Sequence, residues 1–540
     1  MTYKTMIKNM DISKALKTLL LSVFLIYFSD NILANNVTVY NISIVGQNTQ
    51  EHFSLIQFSL SWDNSWRNDI IGAGYAEPYN WDAAWVFIKY RVNNGEWKHA
   101  SLDNNDSFAP LGSSLDIGLL TPSQPFNVTS NPGLGTFIYR SENGIGNNDF
   151  QNVKVRWNYG VNGVGDNDLV DIKIFAIEVV NVPENPFYIG SGGVLERAQF
   201  YEYPSLNSSY YITSEDAITV GTNIGNLYYE SYQSGGDQSG PVPQTFPKGY
   251  NQFYCMKYEL SQQGYVDFLN SLSRLHQQPR ISTSIPIGTT TITNRYVMTN
   301  TSTVLERNSI SCNTSIPVSD PITFYCDLNE NMISSEENDG QNIACNFVSW
   351  ADVAAYLDWT ALRPMTELEY EKICRGTLNP VEHEYAWGNN LITQNTGITF
   401  GGTNSEISSN DGNSTYLNHP SVQGPMRVGS FATSSSTRAT SGASYYGAME
   451  MSGNLYEHTV TIGNATGRNF TGIHGNGSLD SNGNQDVLNW PGIDAIGDGR
   501  RGGNWVTFLN NVLTSNRTYA ALINAGRNTR YGIRGVRSVQ

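Results

Sequence analysis

Asp480, Asn482, Asn484 and Asp486 place side-chain oxygens at alternate positions of one short loop, with Gly483 supplying a turn between them. Hard oxygen donors at that spacing are what a calcium loop presents. The bidentate Glu that closes such a loop at its twelfth position is missing, since Pro491 stands there. Asp327-Leu328-Asn329-Glu330-Asn331 starts the same way and has Asn338 at the closing position. Asp/Asn-rich turns also form without any metal, so each loop carries two readings, cation ligand or simple turn. The thiols and imidazoles point less clearly to chemistry. None of Cys255, Cys312, Cys326, Cys345 and Cys374 sits in a Cys-x-x-Cys pair, which weakens zinc and thioredoxin-like readings. The seven histidines are scattered, with no His-Glu-x-x-His and no pair at helical spacing. There is no Gly-x-Ser-x-Gly elbow and no phosphate-cradling Gly-x-x-x-x-Gly-Lys. Carboxylates are numerous, but no glycosidase-like pair is marked by its neighbours.

Composition narrows the class of molecule that must position such residues. A chain of 540 residues is several times the roughly 100–200 residues of one domain, so more than one folded unit is expected. Lys+Arg 32 against Asp+Glu 48 gives a net charge of −16, with only 15% charged residues. Nucleic acid is excluded as a partner on that balance, because phosphate binding depends on clustered Lys and Arg. Hydrophobic residues at 39% and aromatic residues at 12% argue against disorder. What remains is a folded protein with a neutral, Asn/Gly/Ser/Thr-rich surface, suited to life outside the cell. The N-terminus agrees: Lys4, Lys8, Lys14 and Lys17 precede the apolar run from Leu19 to Phe28, and Ala34 is a small residue where cleavage would occur. Residues 1–34 are therefore expected to be a secretory signal, leaving a secreted, cell-surface or periplasmic product. The run is shorter than the roughly 20 residues that cross a bilayer, and no membrane span is expected. In such a compartment the five cysteines read first as disulfides, with the odd count leaving a thiol over and the pairing open.

Two textures follow the leader. Residues 35–180 are strand-rich: Phe53–Trp62 and Asp171–Val179 largely alternate apolar and polar, the period of half-buried strands, with the aromatic run Trp85–Tyr90 between them. An antiparallel β-sandwich domain is expected there. From 181 to 540 short helices appear with clear start signals. Ser261 is expected to cap a helix with the stripe Tyr265, Phe268, Leu269 and Leu272, and Ser349 one that runs from Trp350 to Trp359. Thr366-Glu367-Leu368-Glu369 is a capping box. Segments near 277–340 and 390–440 read as polar insertions with little periodicity.

The capped helices carry a resemblance. The blocks Val348–Trp359, Arg363–Glu371, Cys374-Arg375-Gly376 and Tyr385–Asn389, then Tyr446–Glu457, Arg501-Gly502-Gly503-Asn504-Trp505 and Gly532–Arg537, resemble in order the motifs of the formylglycine-generating enzyme, or sulfatase-modifying factor, family. Upstream, Val182–Gly190 and Tyr258-Glu259-Leu260-Ser261 look like the family's opening strand and first helix. The resemblance implies an irregular α+β domain related to C-type lectins. It also implies a site. Active members oxidise a substrate cysteine with copper held by two thiolates five residues apart, just after the Gly-Gly motif, soft donors that select Cu(I). Those positions are Thr507 and Val512 here, so no copper is expected. Asn504 stands where a Ser is expected and Tyr456 where a Trp is, so the active-site positions Asn504, Thr507, Val512 and Tyr456 are degenerate and no catalytic residue is assigned. Related sulfoxide synthases need a three-histidine iron site that this chain lacks.

The family's structural calcium site maps onto Glu450, Gly453, Leu455 and Glu457, the first and last through side chains and the middle two through carbonyls, with Glu450 replacing the usual Asn. The function implied is non-catalytic binding, adhesion or assembly at or outside the cell surface, toward an unknown protein or glycan ligand. Two alternatives stay open: a family enzyme using other chemistry at the same cleft, and a self-assembling subunit of an extracellular filament or surface machine.

Overall fold

The structure, a computed structural model, describes residues 36–69, 77–193 and 198–539; the expected leader lies outside them. The fold is α+β and mostly sheet, with few helices. The first strands in chain order are β1 (Thr38–Asn48), β2 (Phe53–Arg67), β3 (Asp82–Val92), β4 (Lys98–His99), β5 (Leu102–Phe108), β6 (Ser113–Leu119), β7 (Gly133–Arg140), β8 (Gly144–Trp157) and β9 (Val170–Val182). Five later strands matter for the site or the sheet: β10 (Phe253–Met256), β11 (Arg363–Pro364), the pair β12 (Glu457–Val460) and β13 (Asp498–Arg501), and β14 (Gly535–Ser538).

Period-two patterning explains the strands. Ile56, Phe58, Leu60 and Trp62 of β2 face one apolar cluster, and β3 contributes Ala84, Val86, Ile88 and Tyr90 to the same cluster. The alternate residues of β3, Ala83, Trp85 and Phe87, enter a second cluster built with α1 (Gln262–Leu269) and α2 (Trp350–Trp359). A strand apolar on both faces lies between two layers, and the run Trp85–Ile88 is apolar for that reason. The expected boundary near residue 180 falls inside β9, and the sheet does not stop there. One twelve-stranded sheet runs β1-β2-β8-β5-β7-β3-β9-β10-β14-β11, with β4 beside β3 and β6 beside β7. β9 meets β10 with Val182 opposite Phe253 and Val180 opposite Cys255, and β10 meets β14 with Cys255 opposite Val536.

Side chains reinforce the seam. Trp85 Nε1 donates to Thr360 O at 2.9 Å, and Lys89 Nζ donates to Trp359 O at 2.8 Å and Gly477 O at 2.7 Å. Lys89 thereby satisfies the last carbonyl of α2, whose end has no intrahelical partner.

The helices begin where their caps predict. Ser349 and Asp352 form a capping box at α2, and Thr366 and Glu369 another at α3 (Glu367–Arg375). Ser261 Oγ accepts the Gly264 N–H at 3.2 Å to start α1. The segment 277–340 is less detached than its polarity suggests, because Ile285, Val297, Ile310, Ile322 and Phe324 belong to the second core cluster. The disulfides expected of the cysteines do not form: all five are free and buried. They act as small apolar core residues, and burial pushes the thiols of Cys255, Cys312, Cys326 and Cys374 up to about 12, which keeps them protonated and unreactive. No helix among the described residues is long and apolar enough to cross a membrane.

Candidate functional site

The Gly-Gly loop leaves β13 at Arg501, and Arg501 is anchored from below by one stripe of α3. Its Nη1 donates to Glu367 Oε2 at 3.2 Å, and its Nη2 donates to Glu371 Oε1 at 2.6 Å and Thr514 O at 2.8 Å. Arg517 adds bonds to both oxygens of Glu367, at 2.6 and 2.9 Å, and Arg375 donates to Glu371 and Glu384. All these charges are buried. Burial raises the Glu367 carboxyl, but Arg517 and Arg501 more than offset it and hold the group below its ordinary value.

Above this network the loop turns through two left-handed glycines. Gly502 has φ +83° and Gly503 φ +72°, and a Cβ on Gly503 would lie 2.4 Å from Val512 Cγ1. Val512 is thus packed onto the glycine and wholly buried. Thr507 Oγ1 accepts the Asn504 N–H at 2.9 Å and donates to Asn504 O at 3.0 Å, so its proton and a lone pair are spent in the turn. Asn504 and Trp505 are buried, and the Trp505 and Thr507 carbonyls accept the N–H groups of Asn418 and Leu417 at 2.7 and 3.0 Å. On this side the expected cleft is filled. It is open on the other: a cleft of about 680 Å³ is lined by Asn511 and Leu513, which flank Val512, and by Tyr519. Tyr456 stands behind that wall with its ring 6.1 Å from Tyr519 and its buried hydroxyl beside the Asn511 side chain.

A second constellation lies in the loop before β12. Glu450 Oε1 accepts the Gly429 N–H at 2.7 Å, and Glu457 Oε1 accepts Arg534 Nε at 2.7 Å. The Oε2 atoms of both are buried without partners. Glu259 is drawn in as well, accepting the Leu455 N–H at 2.9 Å and the Asn454 side-chain amide. Three buried carboxylates share Arg534, whose other donors go to Met256 O and Met449 O. Burial pushes Glu450 up to about 7, only partly offset by Arg534; burial with the neighbouring carboxylates pushes Glu259 up, and burial pushes Glu457 up against the pull of Arg534.

Among the described residues no three His, Cys, Asp or Glu side chains converge as metal ligands. The two unpartnered oxygens nonetheless fit a hard cation bound partly by carbonyls, which is the donor chemistry of calcium. The other loops are occupied by internal bonds. Asp480 Oδ1 accepts the N–H groups of Asn482 and Asn484 at 2.8 Å, Asn484 Oδ1 accepts Arg280 Nη2 at 2.8 Å, and Asp486 Oδ1 accepts Asn476 Nδ2 at 2.7 Å. Asp327 is buried against Arg295.

Motif reading missed four residues: Glu259, Arg534, Glu367 and Glu371. The last two carried a signal, because Glu367, Glu371 and Arg375 recur every four residues and so share one face of a helix. Residues 213–539 match the sulfatase-modifying factor enzyme 1-like domain (FGE-sulfatase), across the Gly-Gly loop, the acidic loop and the α3 network alike. No curated protein matches the chain. With that match over more than half its length, the chain belongs to the sulfatase-modifying factor enzyme 1-like family.

Proposed function

We propose that this chain is an exported binding protein whose family domain has exchanged catalysis for recognition. In this reading residues 35–180 are a β-sandwich module, residues 181–540 a C-type-lectin-related domain, and the site acts at or outside the cell surface in binding or adhesion. The observation that carries it is the fate of the two copper positions. The Thr507 hydroxyl is committed to its own turn and Val512 is a core side chain on Gly503. A hydroxyl is a hard, weak ligand for Cu(I) and a Val side chain is none.

Calcium fits the same reading as a structural ion held by Glu450 and Glu457 with the carbonyls of Gly453 and Leu455. It would offset the carboxylate charge that Arg534 alone leaves uncompensated.

The test incubates the full chain with Cu(I) and a cysteine-containing sulfatase peptide. Neither stoichiometric copper nor formylglycine is expected, and formation of formylglycine would overturn the reading. One further observation favours self-assembly. β1 pairs with β2 on one side, no described strand takes its other edge, and Ile42 and Ile44 are exposed on it. Such an edge is a template for another strand. A strict monomer in light scattering at all concentrations would remove that second reading.

A further inference from the structure

The cleft beside Val512 has a consistent chemical bias. Three aromatic rings border it, those of Tyr232, Phe508 and Tyr519. Phe508 is 73% exposed, a large apolar face held in water next to a concave surface. Four amides, Gln233, Asn510, Asn511 and Asn516, complete much of the wall together with the imidazole of His383, and none of its lining residues is Lys, Arg, Asp or Glu.

That set discriminates among ligand classes. An anionic ligand needs guanidinium or ammonium groups and a cationic one needs carboxylates, and the wall supplies neither. An extended peptide takes its affinity from an open strand edge or from apolar side-chain pockets. The segment nearest the cleft is instead a short 3-10 turn, Leu509–Val512, lined by amides. Each amide offers a donor and an acceptor together, matching hydroxyl groups that both donate and accept. Aromatic faces carry negative charge density that suits the polarised C–H face of a sugar ring. The volume lies within the roughly 300–1,000 Å³ of small-ligand sites.

We propose that this cleft binds an uncharged saccharide, stacked on Phe508 and Tyr519 and read through its hydroxyls by the surrounding amides. The proposal rests on the reading of the domain as a recognition module and adds the class of ligand.

The full chain is titrated calorimetrically with neutral hexasaccharides of glucose, mannose, galactose and N-acetylglucosamine, and in parallel with hexagalacturonate and the sulfatase peptide. At least one neutral hexamer binds. Phe508→Ala weakens it by about tenfold or more, and Asn510→Ala weakens it several-fold. Both variants keep the melting temperature, since both residues are exposed. The saccharide assignment is overturned if none of the four neutral hexamers binds, if their binding ignores Phe508→Ala, or if hexagalacturonate binds equally well. A peptide that binds and is released by Phe508→Ala refutes the saccharide and leaves recognition standing. Conversion of its cysteine to formylglycine refutes both.

Discussion

Replacing Glu367 by Gln keeps the shape of the side chain and removes the charge on which two buried guanidinium groups depend. In the native protein Oε2 accepts Arg517 Nε at 2.6 Å and Arg501 Nη1 at 3.2 Å, while Oε1 accepts Arg517 Nη2, Thr461 Oγ1 and the Ile462 N–H at 2.8–2.9 Å. The substitution turns one of these oxygens into an amide donor facing other donors. Arg501 retains Glu371 and Thr514 O. Arg517 retains one neutral amide oxygen of the substituted side chain, Ala198 O at 2.9 Å and the rings of Phe200 and Tyr229, 4.0 and 4.3 Å from its guanidinium carbon, and no carboxylate. Most of the loss therefore falls on Arg517.

Breaking a buried ion pair from one side costs about 3–5 kcal/mol, and none of these groups is exposed enough for solvent to screen the loss. Urea unfolding of the full chain at neutral pH, followed by tryptophan fluorescence, should place Glu367→Gln that far below the native protein. Adding Arg517→Met removes the stranded cation and should recover a substantial part of the loss. A cost below about 1 kcal/mol for Glu367→Gln, or a second substitution that deepens the loss, would refute the assignment of this carboxylate as the anchor of the cleft floor.

Three other perturbations follow from the same geometry. Gly503→Ala should cost about 2–4 kcal/mol, since its Cβ meets Val512 Cγ1 at 2.4 Å on a left-handed backbone. Val512→Ala in that background should return part of the loss, and a Gly503→Ala protein with native unfolding midpoint would contradict the packing. Asp358 is buried and pushed up to about 7, against which the Asn476 and Asp486 N–H groups and Lys89 work only in part. A carboxyl whose folded value exceeds its unfolded one, about 4, contributes stability below pH 4 that is lost as pH rises through 7. Asp358→Asn should flatten the decline between pH 4 and 7, and an unchanged slope in denaturation at the two ends of that window would rule this group out. If calcium sits at Glu450 and Glu457, excess chelator lowers the melting temperature and Glu450→Gln abolishes that response. A melting temperature indifferent to chelator argues against the ion.

What could be read from the residues alone was what local physics determines. Ser349 with Asp352 and Thr366 with Glu369 announced their helices because a cap is completed within four residues. The alternation in Phe53–Trp62 announced a strand because side-chain direction there depends only on position. The offset from Gly502-Gly503 to Thr507 and Val512 was equally local. Contacts made across the chain left no such trace. Nothing near Val182 states that its partner is Phe253, and nothing near Glu259 states that it joins Glu450, Glu457 and Arg534. The cysteines misled for a related reason: an oxidising compartment permits disulfides, but the fold places these thiols as core fillers.

The seam between β9 and β10 bears on modularity. The family match begins at residue 213, after β3 and β9 have already been laid down. A polypeptide cut there would lose the strand that pairs with Phe253–Met256, the ring of Trp85 and the Lys89 side chain that closes α2. It would present an open sheet edge and an uncovered aromatic layer to water. The segment recognisable by descent is therefore smaller than the unit that folds. Transplanting the family domain into another protein means carrying the N-terminal strands with it.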